Sequence, residues 1–236
     1  MVHALVVLMT GAAAAASTPP AAAPVPQTPT VPRTSPAPPQ AVGLLERYLT
    51  ELKTLRVSFL QTLTDAQGRE IDRATGTLIV QRPGRFRWET HPQSTGSGGA
   101  PAGAGQLMVC DGTNLWFLDR DLGQVTVKPV DAALSATPAM LLSGASDLRK
   151  SFSVAPAGSR FGLEWVLVEP RGAEADFVSA LFGFAKGELK RMILEDKLDQ
   201  TATIAFEKVE RNGPVAASEV SFTPPPGADV IGTPGK

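Results

Sequence analysis

The 236-residue sequence predicts a mainly β, α+β domain: one large antiparallel sheet of about eleven strands with a few short helices. Three observations lead there. Apolar residues change from helical spacing to a period of two at Val57, and strand-like patterning then runs nearly to the end. The segments it marks are short. Hairpin turn chemistry separates them, at Asp65-Ala66-Gln67-Gly68, Asp111-Gly112, Asp121-Leu122-Gly123, Lys186-Gly187 and Asn212-Gly213. Short turns join neighbouring strands antiparallel, so the sheet is a meander.

The first 40 residues stand outside this domain. They hold no Asp or Glu and a single basic residue, Arg33, while nine of the 21 prolines lie between Pro19 and Pro39. His3 to Ala16 is an apolar run shorter than the roughly 20 residues that span a bilayer. It ends in small residues before Ser17-Thr18-Pro19-Pro20, the pattern of a cleaved secretory signal. Residues 1–18 are therefore read as a signal peptide, 19–40 as a Pro/Ala-rich disordered linker of polyproline II character, and 41–236 as the folded domain.

Within the domain, Leu44, Leu45, Tyr48, Leu49, Leu52 and Leu55 recur at helical spacing, with Glu46, Arg47, Glu51 and Lys53 on the other faces. An amphipathic helix opens the fold. Strands are expected at 56–64, 73–82, 85–91, 106–111, 114–119, 124–129, 161–169, 177–184, 189–195, 201–209 and 217–223. Two interruptions stand out. Thr137-Pro138-Ala139-Met140-Leu141-Leu142-Ser143-Gly144 has an N-cap threonine, proline at the first helical position and glycine at the exit, the marks of a short helix. Gln93 to Gly105 is an uncharged Gly/Ala/Ser loop and reads as a flexible insertion. A turn of helix is also expected near Asp147 to Phe152.

Several strands are apolar on both faces: Leu115-Trp116-Phe117-Leu118, Trp165-Val166-Leu167-Val168 and Met192-Ile193-Leu194. A meander with one solvated face should alternate. Something must cover the second face, and three short helices cover a curved sheet of this size incompletely. An apolar interior larger than its cover describes a lipid pocket; an ordinary well-packed core is the competing description.

Charge and residue inventory narrow the function. Twenty-two basic against 23 acidic side chains give no concentrated basic surface for nucleic acid. The single Cys110 forms no intramolecular disulfide, and with two histidines no clustered Cys/His metal site is assembled. A Ser/His/Asp arrangement would rest on His91 alone, and Asp119, Asp121, Asp196 and Asp199 sit in turns where Asp serves its own backbone. The glycines at 96, 98, 99, 103 and 105 lead into a strand and are followed by no phosphate-loop Gly-Lys-Ser/Thr. No nucleophile and base pair is assembled beyond what His91 could supply, and no cofactor or metal reading emerges.

Gln81-Arg82-Pro83-Gly84-Arg85-Phe86-Arg87-Trp88 is more informative. Pro83 forces Arg82 to be extended, and a Pro-Gly turn of type I or II fits a tight hairpin poorly, so a splayed connection or bulge near the sheet rim is expected. Phe86 and Trp88 share one face, Arg85 and Arg87 the other. Arg82 reads equally as a solvated strand-end cation.

At these residues the chain resembles the LolA family, periplasmic carriers that move lipoproteins from the inner to the outer membrane of Gram-negative bacteria. The resemblance runs over nearly the whole domain, through VSFLQTLTDAQGREIDRATGTLIVQRPGRFRWE, VCDGTNLWFLDRD, TPAMLLSG, GELKRMILEDKLDQTATIAFEKVERNG and VSFTPPPGADVI. It implies an incomplete antiparallel barrel closed by a lid of short helices over an apolar cavity for acyl chains, and a chaperone-like role in lipoprotein transport without catalysis. It also implies partners: acylated lipoproteins, an ATP-driven, ABC-type inner-membrane release complex and an outer-membrane acceptor lipoprotein, with the carrier a monomer. The family's Arg-Pro arginine falls on Arg82 and its rim aromatic on Phe86. The Pro-rich segment before Ala41 and the 93–105 loop depart from the family pattern. A same-fold carrier of another amphiphile, such as a glycolipid or lipid-linked precursor, and a lipid-acting enzyme using His91 stay open as alternatives.

Site expectations follow. Arg82, Phe86 and Trp88 form the rim and latch; Leu115, Phe117, Trp165 and Leu167 line the cavity, with Met140 and Leu141 on the lid. A one-residue register error would exchange faces. The unpaired carbonyls at the end of the Thr137 to Gly144 helix are the acceptors expected for Arg82.

Overall fold

The computed structural model describes residues 40–93, 103–130, 137–144, 148–172, 175 and 177–235. The leader and linker read from the sequence lie outside the described residues except for Gln40, the first residue of helix α1 (Gln40–Glu51). Most of the 93–105 insertion, residues 94–102, lies outside them too.

Among the described residues, twelve strands make one sheet. They are β1 (Thr54–Thr64), β2 (Glu70–Gln81), β3 (Arg85–Pro92), β4 (Gln106–Asp111), β5 (Asn114–Asp119), β6 (Gln124–Pro129), β7 (Phe152–Arg160), β8 (Leu163–Pro170), β9 (Phe177–Ala185), β10 (Glu188–Asp196), β11 (Thr201–Arg211) and β12 (Asp229–Ile231). Their order is β12-β6-β5-β4-β3-β2-β1-β11-β10-β9-β8-β7. Two meanders, β1 to β6 and β7 to β11, are thus joined where β1 pairs antiparallel with β11, and β12 adds parallel to β6. The sheet ends at β12 on one side and β7 on the other, an unclosed barrel.

Two expectations about strands fail for physical reasons. Residues 217–223 were expected to pair, but Ala217–Val220 form a 3-10 turn. Glu219 holds it, accepting from the Ala216 N–H at 2.9 Å and pairing with Arg56 at 2.7 Å. The alternation of Val220 and Phe222 reflects burial, not pairing. Conversely, β7 is a strand where only a helical turn was expected: α3 (Leu148–Ser151) is that turn, and the chain then runs extended. Pro156 hides this strand from sequence patterning, yet an edge strand tolerates a missing N–H.

The turn at Pro83-Gly84 is also tighter than expected. β2 and β3 pair unbroken from Gln81↔Arg85 to Ala74↔Pro92, around a cis Arg82–Pro83 bond and Gly84 at φ 74°. Neither splay nor bulge is present between them.

The two faces bury different things. One large core joins Leu45, Tyr48, Leu49 and Leu52 of α1 to the inward residues of the sheet, among them Val57, Phe59, Phe86, Trp88, Phe182 and Phe184. A second cluster, Leu107, Val109, Trp116, Leu118, Val125 and Val127, lies on the outer face of β4 to β6 with Phe222 and Ala228 against it; the Trp116 and Phe222 ring centroids are 5.5 Å apart. The doubly apolar run 115–118 is therefore explained by the C-terminal segment covering the outside. That pattern alone does not require a lipid cavity.

Farther along the outer face, Glu89 gathers Arg120, Arg87 and His91. Burial would raise its pKa, but hydrogen bonding and charge from Arg120, with Arg87 and His91 adding, hold it below the ordinary carboxylate value of 4.5. A carboxylate whose folded pKa is depressed stabilises fully above its unfolded pKa and loses that contribution as pH falls through the folded one. Glu89→Gln should therefore lower stability by about 1 kcal/mol at neutral pH and match wild type in strong acid. Thermal unfolding of both proteins at neutral pH and in acid checks this; a difference that survives unchanged into acid contradicts it.

Candidate functional site

The helix-covered inner face is built at one corner by three backbone segments. Helix α2 (Pro138–Ser143) begins where Thr137, extended at φ −142°, accepts the Met140 N–H on its side chain, and ends at Gly144 in the left-handed region, φ 73°. Ala139, Met140, Leu141 and Leu142, four consecutive positions, are each at most 3% exposed. A helix of six residues has no independent stability. The β2–β3 turn holds it: the Gly84 N–H donates to the Ser143 carbonyl at 2.8 Å.

Arg82 sits in the same turn. Its backbone N–H donates to the Lys53 carbonyl at 2.8 Å, and its Nη1 donates to the Leu49 carbonyl at 2.8 Å. That carbonyl belongs to the last turn of α1, where helical acceptors are left over. The acceptor is thus on α1, not among the expected carbonyls of α2. Against α2 the guanidinium makes a packing contact: a Cβ on Gly144 would lie 2.6 Å from Nη2 and 2.8 Å from Cζ. Burial draws the Arg82 pKa down from the ordinary arginine value. One side chain therefore touches both covering helices.

A second tie at the C-terminal end of α1 was not visible in the sequence. Arg211 of β11 lies over the Tyr48 ring at 4.5 Å, pairs with Glu188 at 2.9 Å and reaches Glu51 at 3.6 Å. Burial raises the Tyr48 phenol pKa, against a smaller opposing effect of Arg211. Nearby Asn212, at φ 57°, accepts from the Lys53 N–H at 2.8 Å and donates to the Glu51 carbonyl at 3.1 Å. The Asn-Gly signal read as a turn also closes α1.

The other singled-out residues fall as follows. Phe86 is fully buried and Trp88 is 4% exposed, both within the main core, with Trp88 4.7 Å from the Phe59 ring; Phe86 is an interior residue, not a rim one. Leu115 is in that core and Phe117 packs against it. Trp165 and Leu167 are on the opposite face. Val166 and Val168 take the inward positions, while Trp165 lies under the Arg160 guanidinium at 5.2 Å and donates to the Arg160 carbonyl at 3.2 Å. The unbroken apolar run 165–168 carries no facial information, which is why the register went the wrong way there. Its partner Gly183, whose Cβ would meet the Trp165 ring at 2.9 Å, was the available signal. Cys110 donates its thiol to the Gly84 carbonyl at 2.9 Å, and burial pushes its pKa up to about 11. His91 is half exposed on the outer face, 3.9 Å from Glu89. Among the described residues no three His, Cys, Asp or Glu side chains group as metal ligands.

The profile of the outer membrane lipoprotein carrier protein LolA matches residues 50–223. The chain belongs to the LolA family. A protein of Dechloromonas aromatica named outer-membrane lipoprotein carrier protein is 38% identical over 192 residues, 81% of this chain and 88% of that one. One of the same name from Methylobacillus flagellatus is 34% identical over 191 residues, again 81% and 88%. A LolA-superfamily protein from Nitrosomonas europaea, solved by crystallography, has a TM-score of 0.43 at 10% identity, covering 77% of this chain and 97% of that chain. As a LolA-family member, the chain places its Arg-Pro arginine, Arg82, against both covering helices.

Proposed function

We propose that this chain carries lipoproteins between membranes, binding their acyl chains against the inner face of the sheet after α1 and α2 move aside. The observation that carries this reading is the combination of a large apolar inner face, covered by short helices held at one corner by Arg82, in a LolA-family chain. The covering side chains of α2 are apolar and buried, so acyl chains that replace them exchange one hydrocarbon contact for another. Burying each CH₂ is worth about 0.8 kcal/mol, which makes escape of a multiply acylated protein from a bilayer negligible without help. The sequence has no nucleotide-binding motif, so the energy comes from a partner. We assign that role to an ABC-type inner-membrane release complex and the receiving role to an outer-membrane acceptor lipoprotein, with residues 1–18 directing the 41–236 domain to the periplasm and no catalytic step in between.

The test is displacement of an apolar fluorophore. It should bind the folded protein saturably and be displaced by a lipidated peptide but not by the same peptide without acyl chains. Equal displacement by both would contradict an acyl site.

A further inference from the structure

The inner face is not uniformly apolar. Following the pairing registers outward from β3 gives Thr90↔Gln106↔Asp119↔Gln124, one polar row across four strands. It lies on the same face as Trp88, Met108 and Phe117, each two residues away along its own strand. Thr90 and Asp119 are 5% and 3% exposed. The row also carries unmet hydrogen-bonding capacity. Asp119 Oδ1 accepts from the Asp121 and Leu122 N–H groups, each at 3.0 Å, whereas its Oδ2 is buried without a partner, as is Gln106 Oε1. Gln61, 1% exposed on the inward side of β1, leaves its Oε1 unpaired as well. Buried polar atoms without partners are uncommon and costly. A glutamine amide can present a donor or an acceptor by turning over, but an ionised carboxylate only accepts. Asp119 therefore sets the sign of the row.

We propose that this row is a polar subsite of the carrier: Asp119 Oδ2 with Gln106 takes N–H donors at the acylated end of the cargo peptide while the acyl chains occupy the neighbouring apolar face. This rests on the carrier reading above and adds what is recognised beyond hydrocarbon. The chemistry required is a donor N–H, from either an α-ammonium or an amide, attached directly to the lipidated residue. Diacylglycerol esters and fatty acid carboxylates have no such donor.

Asp119→Asn is the informative substitution, because its side-chain oxygen still serves the Asp121 and Leu122 N–H groups while Oδ2 becomes an NH₂ donor. Three probes separate the effects: a dipalmitoylglyceryl-cysteinyl peptide with a free α-amine, its N-acetylated form, and palmitate. Asp119→Asn should weaken both lipopeptides about tenfold, the loss of one charge-assisted hydrogen bond, and leave palmitate affinity within about twofold of wild type. A larger loss for the free amine assigns the donor as an ammonium, and an equal loss assigns it as an amide; both support the subsite. Gln106→Met gives the same comparison should Asp119→Asn fail to fold. Wild-type lipopeptide affinity in the variants, or a palmitate loss as large as the lipopeptide loss, overturns the subsite but leaves the carrier reading standing. Failure of all three probes to bind wild type overturns the carrier reading and the subsite with it.

Discussion

Arg82→Leu should bind an acylated peptide about tenfold more tightly than wild type and deliver it more slowly to an acceptor. The Nη1 bond to the Leu49 carbonyl and the contact with Gly144 belong to the arrangement in which α1 and α2 cover the inner face. A hydrogen bond with one charged partner contributes roughly 1.5 to 3 kcal/mol, and removing it shifts the population toward uncovered molecules. Apparent affinity rises in proportion to the competent fraction. The gain stays at the lower end of that range because Arg211 still ties α1 to β10 and β11. Arg82→Lys should recover only part of the wild-type behaviour: an ammonium can reach one carbonyl, but it lacks the planar fork that lies against Gly144. Ligand affinity and transfer rate for the three proteins decide the matter. Unchanged values in the leucine variant would reduce Arg82 to a structural cap on α1.

The sequence made most of this architecture legible where local chemistry and tertiary packing agree. β4, β5 and β6 begin and end where their turn residues say they should, because Asp111 and Asp119 each bond backbone N–H groups two and three residues on. α2 is equally readable, since its cap, its proline and its terminal glycine all lie within eight residues. Information failed where a residue's role is set by a distant partner. The run 165–168 shows no alternation, so its facing depends on Gly183 across the ladder. Val220 and Phe222 alternate like a strand, but Val220 is buried within the 3-10 turn and Phe222 packs partly buried onto the outer cluster of β4 to β6. The acceptor of Arg82 lies 33 positions away on α1, and no local pattern distinguishes it from the carbonyls of α2. The polar row is likewise invisible locally, because it exists only once four strands are in register.

Gly76→Ala should be among the most damaging single substitutions in the sheet, at about 3 kcal/mol or more. Gly76 does not adopt a positive φ, so its need for glycine is one of space. It pairs with Phe59 on β1 and Thr90 on β3, and a Cβ there would collide with Cζ of Phe59 and with the backbone carbonyl oxygen of Glu89. The Phe59 ring has little room to yield, being 2% exposed and packed against Trp88 at 4.7 Å. The Glu89 carbonyl has less, because it is part of the β3 backbone held between two strands. At roughly 2 to 4 °C per kcal/mol for a chain of this size, the midpoint of thermal unfolding should fall by about 6 °C or more. Phe59→Leu in the Gly76→Ala background separates the two collisions. Partial recovery is expected, since the shorter side chain relieves the ring contact and leaves the carbonyl contact in place. Full recovery would show that only the ring was limiting, and a Gly76→Ala midpoint within 2 °C of wild type would show that β2 and β3 can separate without cost. Because Phe59 lies on the inward face beside the polar row, the same pair of variants also reads how far that wall can move before the sheet fails.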